Sequence, residues 1–225
     1  MSAATPIFTR DTFRFFYDLA RNNRKEWMDA HRDRYQSGVV QPFRRLLEEL
    51  SPAIMRLDPN VGVGPSFSRI NRDIRFAKDK TPYRPQMYLK FCPQFSGPGE
   101  TGELYVGLSA KTCTIGFRIY GGSKRKESSI AILGEPRLQK NPRLLSQQRA
   151  RLGRKYESYW YRSERKEWRE QKGWPANLED WQKLQGWIVR RKLPTATATR
   201  AGFCDLITKT FRDVYPLLRF TSLPD

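Results

Sequence analysis

The sequence predicts an α+β fold, with N-terminal helices, a central mostly antiparallel sheet and C-terminal helices. Three observations carry this. Apolar residues recur at helical spacing from about 9 to 58, alternate strictly between 87 and 119, and return to helical spacing from 198 to 215. No internal repeat or low-complexity linker divides the 225 residues, so they are expected to form one domain. Its parts are helices at about 9–58, a sheet at about 66–122, and a basic helical part with a last strand and helix at about 124–221.

The first helix starts at Thr9, an N-cap residue, and carries Phe13, Phe16, Tyr17 and Ala20 on one face. Asn22-Asn23 ends it, and Asn23 with Glu26 has the spacing of a capping box for the next helix. There Trp27, His31 and Tyr35 follow four apart. A third helix runs from about Val39 through Phe43, Leu46, Leu47, Leu50 and Ile54, with Pro52 expected to interrupt or kink it before Asp58-Pro59-Asn60.

Three half-buried strands follow, in which Met87/Leu89/Phe91, Leu104/Val106/Leu108 and Cys113/Ile115/Phe117/Ile119 alternate with other residues. Ser109-Ala110-Lys111 joins the second and third as a hairpin. Helix formers then occupy Leu144–Arg154 and Glu164–Lys172, a strand is predicted over Leu184–Lys192, and a last helix over Ala198–Tyr215 is expected to stop at Pro216.

Composition removes several kinds of chemistry. The N-terminus has no apolar run of signal-peptide length, and no stretch could span a membrane, which predicts a soluble cytoplasmic protein. Cys92, Cys113 and Cys204 form no paired motif, so neither a zinc site nor a disulfide framework is indicated. With His31 the only histidine, multi-histidine metal centres are excluded, and any histidine-based nucleophile scheme must use it. Its helical neighbours Trp27 and Tyr35 point to a packed, hydrogen-bonded ring instead. No cofactor or metal is indicated. Gly97-Pro98-Gly99-Glu100-Thr101-Gly102 spells a dinucleotide fingerprint, but a strand rather than a helix follows it, so it reads as a hairpin loop.

The net charge of +19 is concentrated in two segments. Residues 66–92 hold 7 Lys/Arg against 2 Asp/Glu, and residues 124–172 hold 15 against 6. Such a field attracts nucleic acid, phosphorylated metabolites or acidic surfaces. The first segment contains Arg69-Ile-Asn-Arg72-Asp73-Ile-Arg75-Phe76-Ala-Lys78-Asp79-Lys80-Thr-Pro-Tyr83-Arg84, six cations and two carboxylates in one run. Charge at this density is either a ligand site or a tightly paired lattice, because unpaired burial is costly. As a ligand site, Arg69, Arg72, Arg75 and Lys80 would contact an anion, with Asp73 orienting them or transferring a proton and Tyr83 positioning through its hydroxyl. In the second segment cations alternate with Tyr156, Tyr159, Trp160, Tyr161 and Trp168, either a stacking surface for nucleic acid or a helix with an aromatic inner face.

The run fits R-x-x-R-D-x-R-F-x-x-x-K-x-x-Y through Arg69, Arg72, Asp73, Arg75, Phe76, Lys80 and Tyr83. In this the chain resembles a mainly bacterial family catalogued as a conserved domain of unknown function. Phe8-Thr9 with Asn22–Trp27 resembles the family's opening, and Asp180-Trp181, Gly186-Trp187 and Phe211-x-x-x-Tyr215-Pro216-Leu217 resemble its closing segments, whereas Gly97–Gly102 and Lys124–Lys172 are less typical of it. The resemblance supplies position and no chemistry. Three functions follow from the residues: a binding or catalytic pocket for an anionic, phosphorylated ligand; a nucleic-acid-binding module using the motif and the span 124–172; or a scaffold in which the motif is an ion-pair lattice.

Overall fold

Thr9 opens the first helix by accepting a hydrogen bond from the Asp11 amide (3.3 Å) in this computed structural model, which describes residues 5–62, 67–93, 101–121, 136–164 and 167–222. Helix α1 (Arg10–Arg21) buries Phe13, Phe15, Phe16 and Leu19. Asn22 ends it, its amide donating to the Asp18 carbonyl at 2.9 Å. Helices α2 (Lys25–Ala30) and α3 (Arg32–Tyr35) break at His31, which has left helical geometry. A π-helical turn over Gln36–Val40 then leads into α4 (Gln41–Leu57). The widened turn leaves carbonyls to satisfy, and the buried Thr12 hydroxyl donates to that of Gly38 at 2.7 Å. Arg34 bonds Asp18 (2.8 Å) and Asp11 (3.2 Å), tying α3 to α1.

Two expectations change here. Asn23 does not build a capping box: the N-cap of α2 is Arg24, with no side-chain cap, and the Asn23 amide is engaged with Tyr83. Helix α4 also continues through Pro52, whose ring lies on the exposed side while Leu50 and Ile54 stay buried. Burial of the inner face outweighs the single hydrogen bond that proline removes.

Among the described residues the sheet has six strands: β1 (Gln86–Phe91), β2 (Glu103–Ser109), β3 (Thr112–Tyr120), β4 (Glu157–Glu164), β5 (Glu167–Lys172) and β6 (Leu184–Pro194). Their order is β1-β2-β3-β6-β4-β5, with every neighbouring pair antiparallel. The β2–β3 hairpin and β6 follow the sequence reading. The expected helix at Glu164–Lys172 does not form; β4 and β5 occupy Glu157–Lys172 instead, apart from residues outside the described set. Glu, Arg and Lys favour helix locally, but β6 offers an unpaired edge, and Trp160 pairs across from Trp187 with both rings buried. Residues 97–100 of the glycine loop and 124–135 and 165–166 of the basic span lie outside the described residues.

The helices after β3 include α5 (Leu144–Leu152), α6 (Leu178–Gln182), α7 (Thr195–Ala198) and α8 (Phe203–Ser222). The last predicted helix is thus two, and Pro216 does not stop α8. Past the proline, Leu217, Leu218 and Phe220 are all buried, and Phe220 meets Trp181 with ring centroids 5.2 Å apart. Arg137 donates to the carbonyls of Arg219 (3.3 Å) and Phe220 (2.5 Å), satisfying the helix end.

One sheet face carries the core. Phe91 packs on Phe211 (5.8 Å), Phe117 on Trp187 (5.7 Å) and Trp181 on Trp187 (5.9 Å). Phe8 joins α4 to α8 through Phe43 (5.2 Å) and Phe203 (6.1 Å). The buried Asp58 carboxylate accepts from the Tyr215 hydroxyl (2.7 Å) and the Asn60 amide (2.9 Å), fastening the end of α4 to α8. No helix among the described residues is long and apolar enough to cross a membrane.

Candidate functional site

The motif is neither a helix nor a sheet strand. It is a narrow two-legged loop: Arg72 N–H donates to the Pro82 carbonyl (2.8 Å), Arg84 N–H to that of Ile70 (2.7 Å), and Asn71 bridges Tyr83. Asn23 grips the return leg from outside, donating to the Tyr83 carbonyl (2.8 Å) and accepting from its N–H (3.0 Å). The segment around Asn23, between α1 and α2, and the motif thereby meet in space.

Around the tip the charges turn on one another. Arg72 donates to the Asp79 carboxylate and to the Thr81 hydroxyl (2.5 Å), while Asp79 also accepts from the Thr81 N–H (2.9 Å). The Thr81 amide foremost, then Arg72 and the Thr81 hydroxyl, hold the Asp79 carboxyl down at about 2. Arg75 grips Asp73 through Nε (3.0 Å) and Nη2 (2.7 Å), and lowers its pKa. Lys80 Nζ donates to the carbonyls of Ile74 (3.1 Å) and Arg75 (3.4 Å). Arg69 is exposed, without a side-chain partner among the described residues. Asp73 lies exposed at the tip and Tyr83 buried at the root, so the loop does not gather all six proposed site residues around one point.

The root of the loop borders a cavity of about 260 Å³, lined by Ile70, Asn71 and Tyr83 of the motif and by Lys25, Asp29, Arg32 and Tyr35 of α2 and α3. Burial, then the Asp29 carboxylate, raises the Tyr83 phenol above its usual pKa, so its hydroxyl remains a hydrogen-bond donor. Arg32 pairs with Asp29 at 2.6 Å. His31 does not enter the cavity lining; its ring stacks on Trp27 (4.1 Å) and Nδ1 donates to the Trp27 carbonyl (2.8 Å).

A second constellation covers the sheet face opposite the core; its Tyr159, Tyr161 and Trp168 are among the residues read from sequence as either a stacking surface or a helix's inner face, and its other members were missed. Registers place Tyr88, Tyr105, Arg118, Tyr120, Arg190, Tyr159, Tyr161 and Trp168 together on it. Arg118 pairs with Glu103 and brings its guanidinium within 4.7 Å of the Tyr88 ring and 4.6 Å of the Tyr105 ring. Arg190 bonds Glu157 (3.0 Å) and lies 5.0 Å from the Tyr159 ring. Burial opposes the charge on Arg190, yet Tyr105, Tyr159 and Glu157 outweigh it and raise its pKa. Burial likewise pushes the Tyr105 phenol up to about 12, with Arg190 and Arg118 pulling the other way.

Towards β5 the face opens. Tyr120, Tyr161 and Trp168 cluster with centroids 6.0 to 6.5 Å apart, and Tyr120 (37% exposed) and Trp168 (45%) present ring surface to solvent. Glycines make room: a Cβ at Gly107 would lie 2.3 Å from the Tyr88 ring, and one at Gly186 would lie 2.8 Å from that of Tyr120. The available signal was period two in Glu157/Tyr159/Tyr161 against Ser158/Trp160/Arg162, masked by helix-forming charges. Among the described residues, no group of three or more His, Cys, Asp or Glu is placed to hold a metal ion, and the three cysteines are free.

The fold and these two features define an α+β protein whose antiparallel sheet carries helices on one face and a tyrosine–arginine surface on the other. The chain belongs to the conserved hypothetical protein family DUF2461, which matches it over residues 11–220. Among curated proteins none matches it.

Proposed function

We propose that the protein binds single-stranded nucleic acid across the tyrosine–arginine face of its sheet. The observation that carries this is the Tyr120–Tyr161–Trp168 cluster, three rings on one face with two of them solvent-exposed. Bases have flat faces whatever their identity, so exposed rings in a basic setting suit a strand read by stacking rather than by base edges. The contacts of the helices with the sheet run through Phe91, Phe117 and Trp187 on the opposite face. The excess of Lys and Arg supplies the long-range attraction to phosphates.

The test is fluorescence anisotropy with labelled single-stranded DNA and RNA at low salt. Wild type should bind both, and the Tyr120→Ala/Trp168→Ala double variant should bind at least about tenfold more weakly, given base–aromatic stacking of roughly 1–3 kcal/mol per base. Absence of binding at low salt, or equal binding by the double variant, overturns the proposal.

A second reading is supported by the cavity at the root of the motif. Lys25, Arg32 and Tyr83 border a space of about 260 Å³, and two cations beside a phenol suit a phosphate group. In this reading Tyr83 donates to the anion, and Arg69, Arg72, Arg75 and Lys80 shape its approach, with Asp73 orienting Arg75. A rise in melting temperature with sugar phosphates or nucleotides that is lost in Tyr83→Phe would favour it over the sheet face.

A further inference from the structure

We infer that Phe76, at the tip of the motif loop, is a base-stacking residue that meets the bound strand beside the sheet. The inference rests on the nucleic-acid reading and adds a second contact to it. Phe76 is 95% exposed, although the loop that holds it is tied at nearly every step. Asp79 locks Arg72 and Thr81, Asp73 locks Arg75, and Lys80 fastens the carbonyls of Ile74 and Arg75 immediately before the ring. A loop without a task could turn its one phenylalanine inward; this one is braced with the ring held out. The Arg75 guanidinium, itself oriented by Asp73, lies 5.9 Å from the ring centroid, which leaves ring surface for a partner to stack upon.

Charge selects the partner. Both loop carboxylates are occupied by arginines, while Arg69, Lys78 and Arg84 are exposed without side-chain partners among the described residues. An exposed ring on a loop that also carries available cations complements a base flanked by phosphates. Position agrees. Ser68, at the foot of the loop, pairs with Tyr88 through backbone (2.9 Å) and hydroxyl (2.9 Å) bonds, and Tyr88 belongs to the tyrosine–arginine face. A strand leaving that face at β1 therefore passes the root of the loop. A lipid surface fits less well, because Phe76 is the only large exposed apolar side chain on the loop, and stable membrane docking needs a broader apolar area.

The experiment titrates labelled single-stranded oligonucleotides into wild type, Phe76→Ala, Phe76→Leu and Phe76→Trp, with Tyr120→Ala/Trp168→Ala alongside. Phe76→Ala and Phe76→Leu should each lose about tenfold in affinity and Phe76→Trp should retain it, with melting temperatures unchanged because the ring buries almost nothing. Binding by Phe76→Leu or Phe76→Ala at the wild-type level, while the double variant is impaired, overturns the inference and leaves the sheet-face reading standing. No binding by wild type overturns both. Co-sedimentation with phosphatidylserine vesicles that is lost in Phe76→Ala, with oligonucleotide affinity unchanged, assigns the loop to lipid and overturns the inference.

Discussion

Asn23 shows how one side chain can connect two segments far apart in sequence. Its amide satisfies both the N–H and the C=O of Tyr83, sixty positions away, and so fixes the motif loop against the helices. Replacing it by alanine leaves two partly buried backbone groups without their partner, which costs about 2 kcal/mol. Denaturant unfolding of Asn23→Ala should show that loss with an unchanged slope, and Asn23→Asp, which keeps only the acceptor, should fall between. The sequence offered Asn23 as a helix cap because Glu26 stands at the right spacing. Nothing local in the chain marks the competitor: Tyr83's main chain becomes visible only when the fold brings it near. Tyr88, Tyr105 and Tyr120 of the sheet face were similarly hidden, since an exposed ring and a core ring are the same letter.

At the scale of elements, the motif loop is held by carboxylates, and its order depends on their charge. Asp79 lies near 3.8 when unperturbed and at about 2 in the fold. A depressed acid stabilises the folded loop fully above its unfolded value, and that contribution disappears as pH falls from about 3.8 through about 2. The amide resonance of Thr81, which donates to Asp79, should therefore shift with a midpoint near 2 rather than near 4, and Asp79→Asn should abolish the transition. Elements with a dominant period were legible from sequence: α1, β1, β2, β3 and β6 stand where alternation or helical spacing put them. Those decided by neighbours were not. Glu157–Lys172 carries helix-forming charges yet pairs as β4 and β5 because β6 presents an edge, and α8 passes Pro216 because Leu217, Leu218 and Phe220 still have a core to enter.

For the whole molecule, the question is where the net charge of +19 acts. Part of the cationic charge on the described residues is paired: Arg72, Arg75, Arg118 and Arg190 each face a carboxylate, two of them within the motif. The cations that remain open to a polyanion include Arg69, Lys78 and Arg84 around the loop. Binding to a single strand releases counterions, so log K falls against log salt with a slope of roughly −0.7 for each phosphate neutralised. Replacing Arg69, Lys78 and Arg84 together by alanine should therefore flatten that slope by about 2, while the melting temperature stays unchanged. Tyr120→Ala/Trp168→Ala should instead lower affinity at every salt concentration and leave the slope alone, since stacking releases no ions. Parallel shifts in both variants would mean that the loop cations do not meet phosphate, and the charge would then serve solubility rather than recognition.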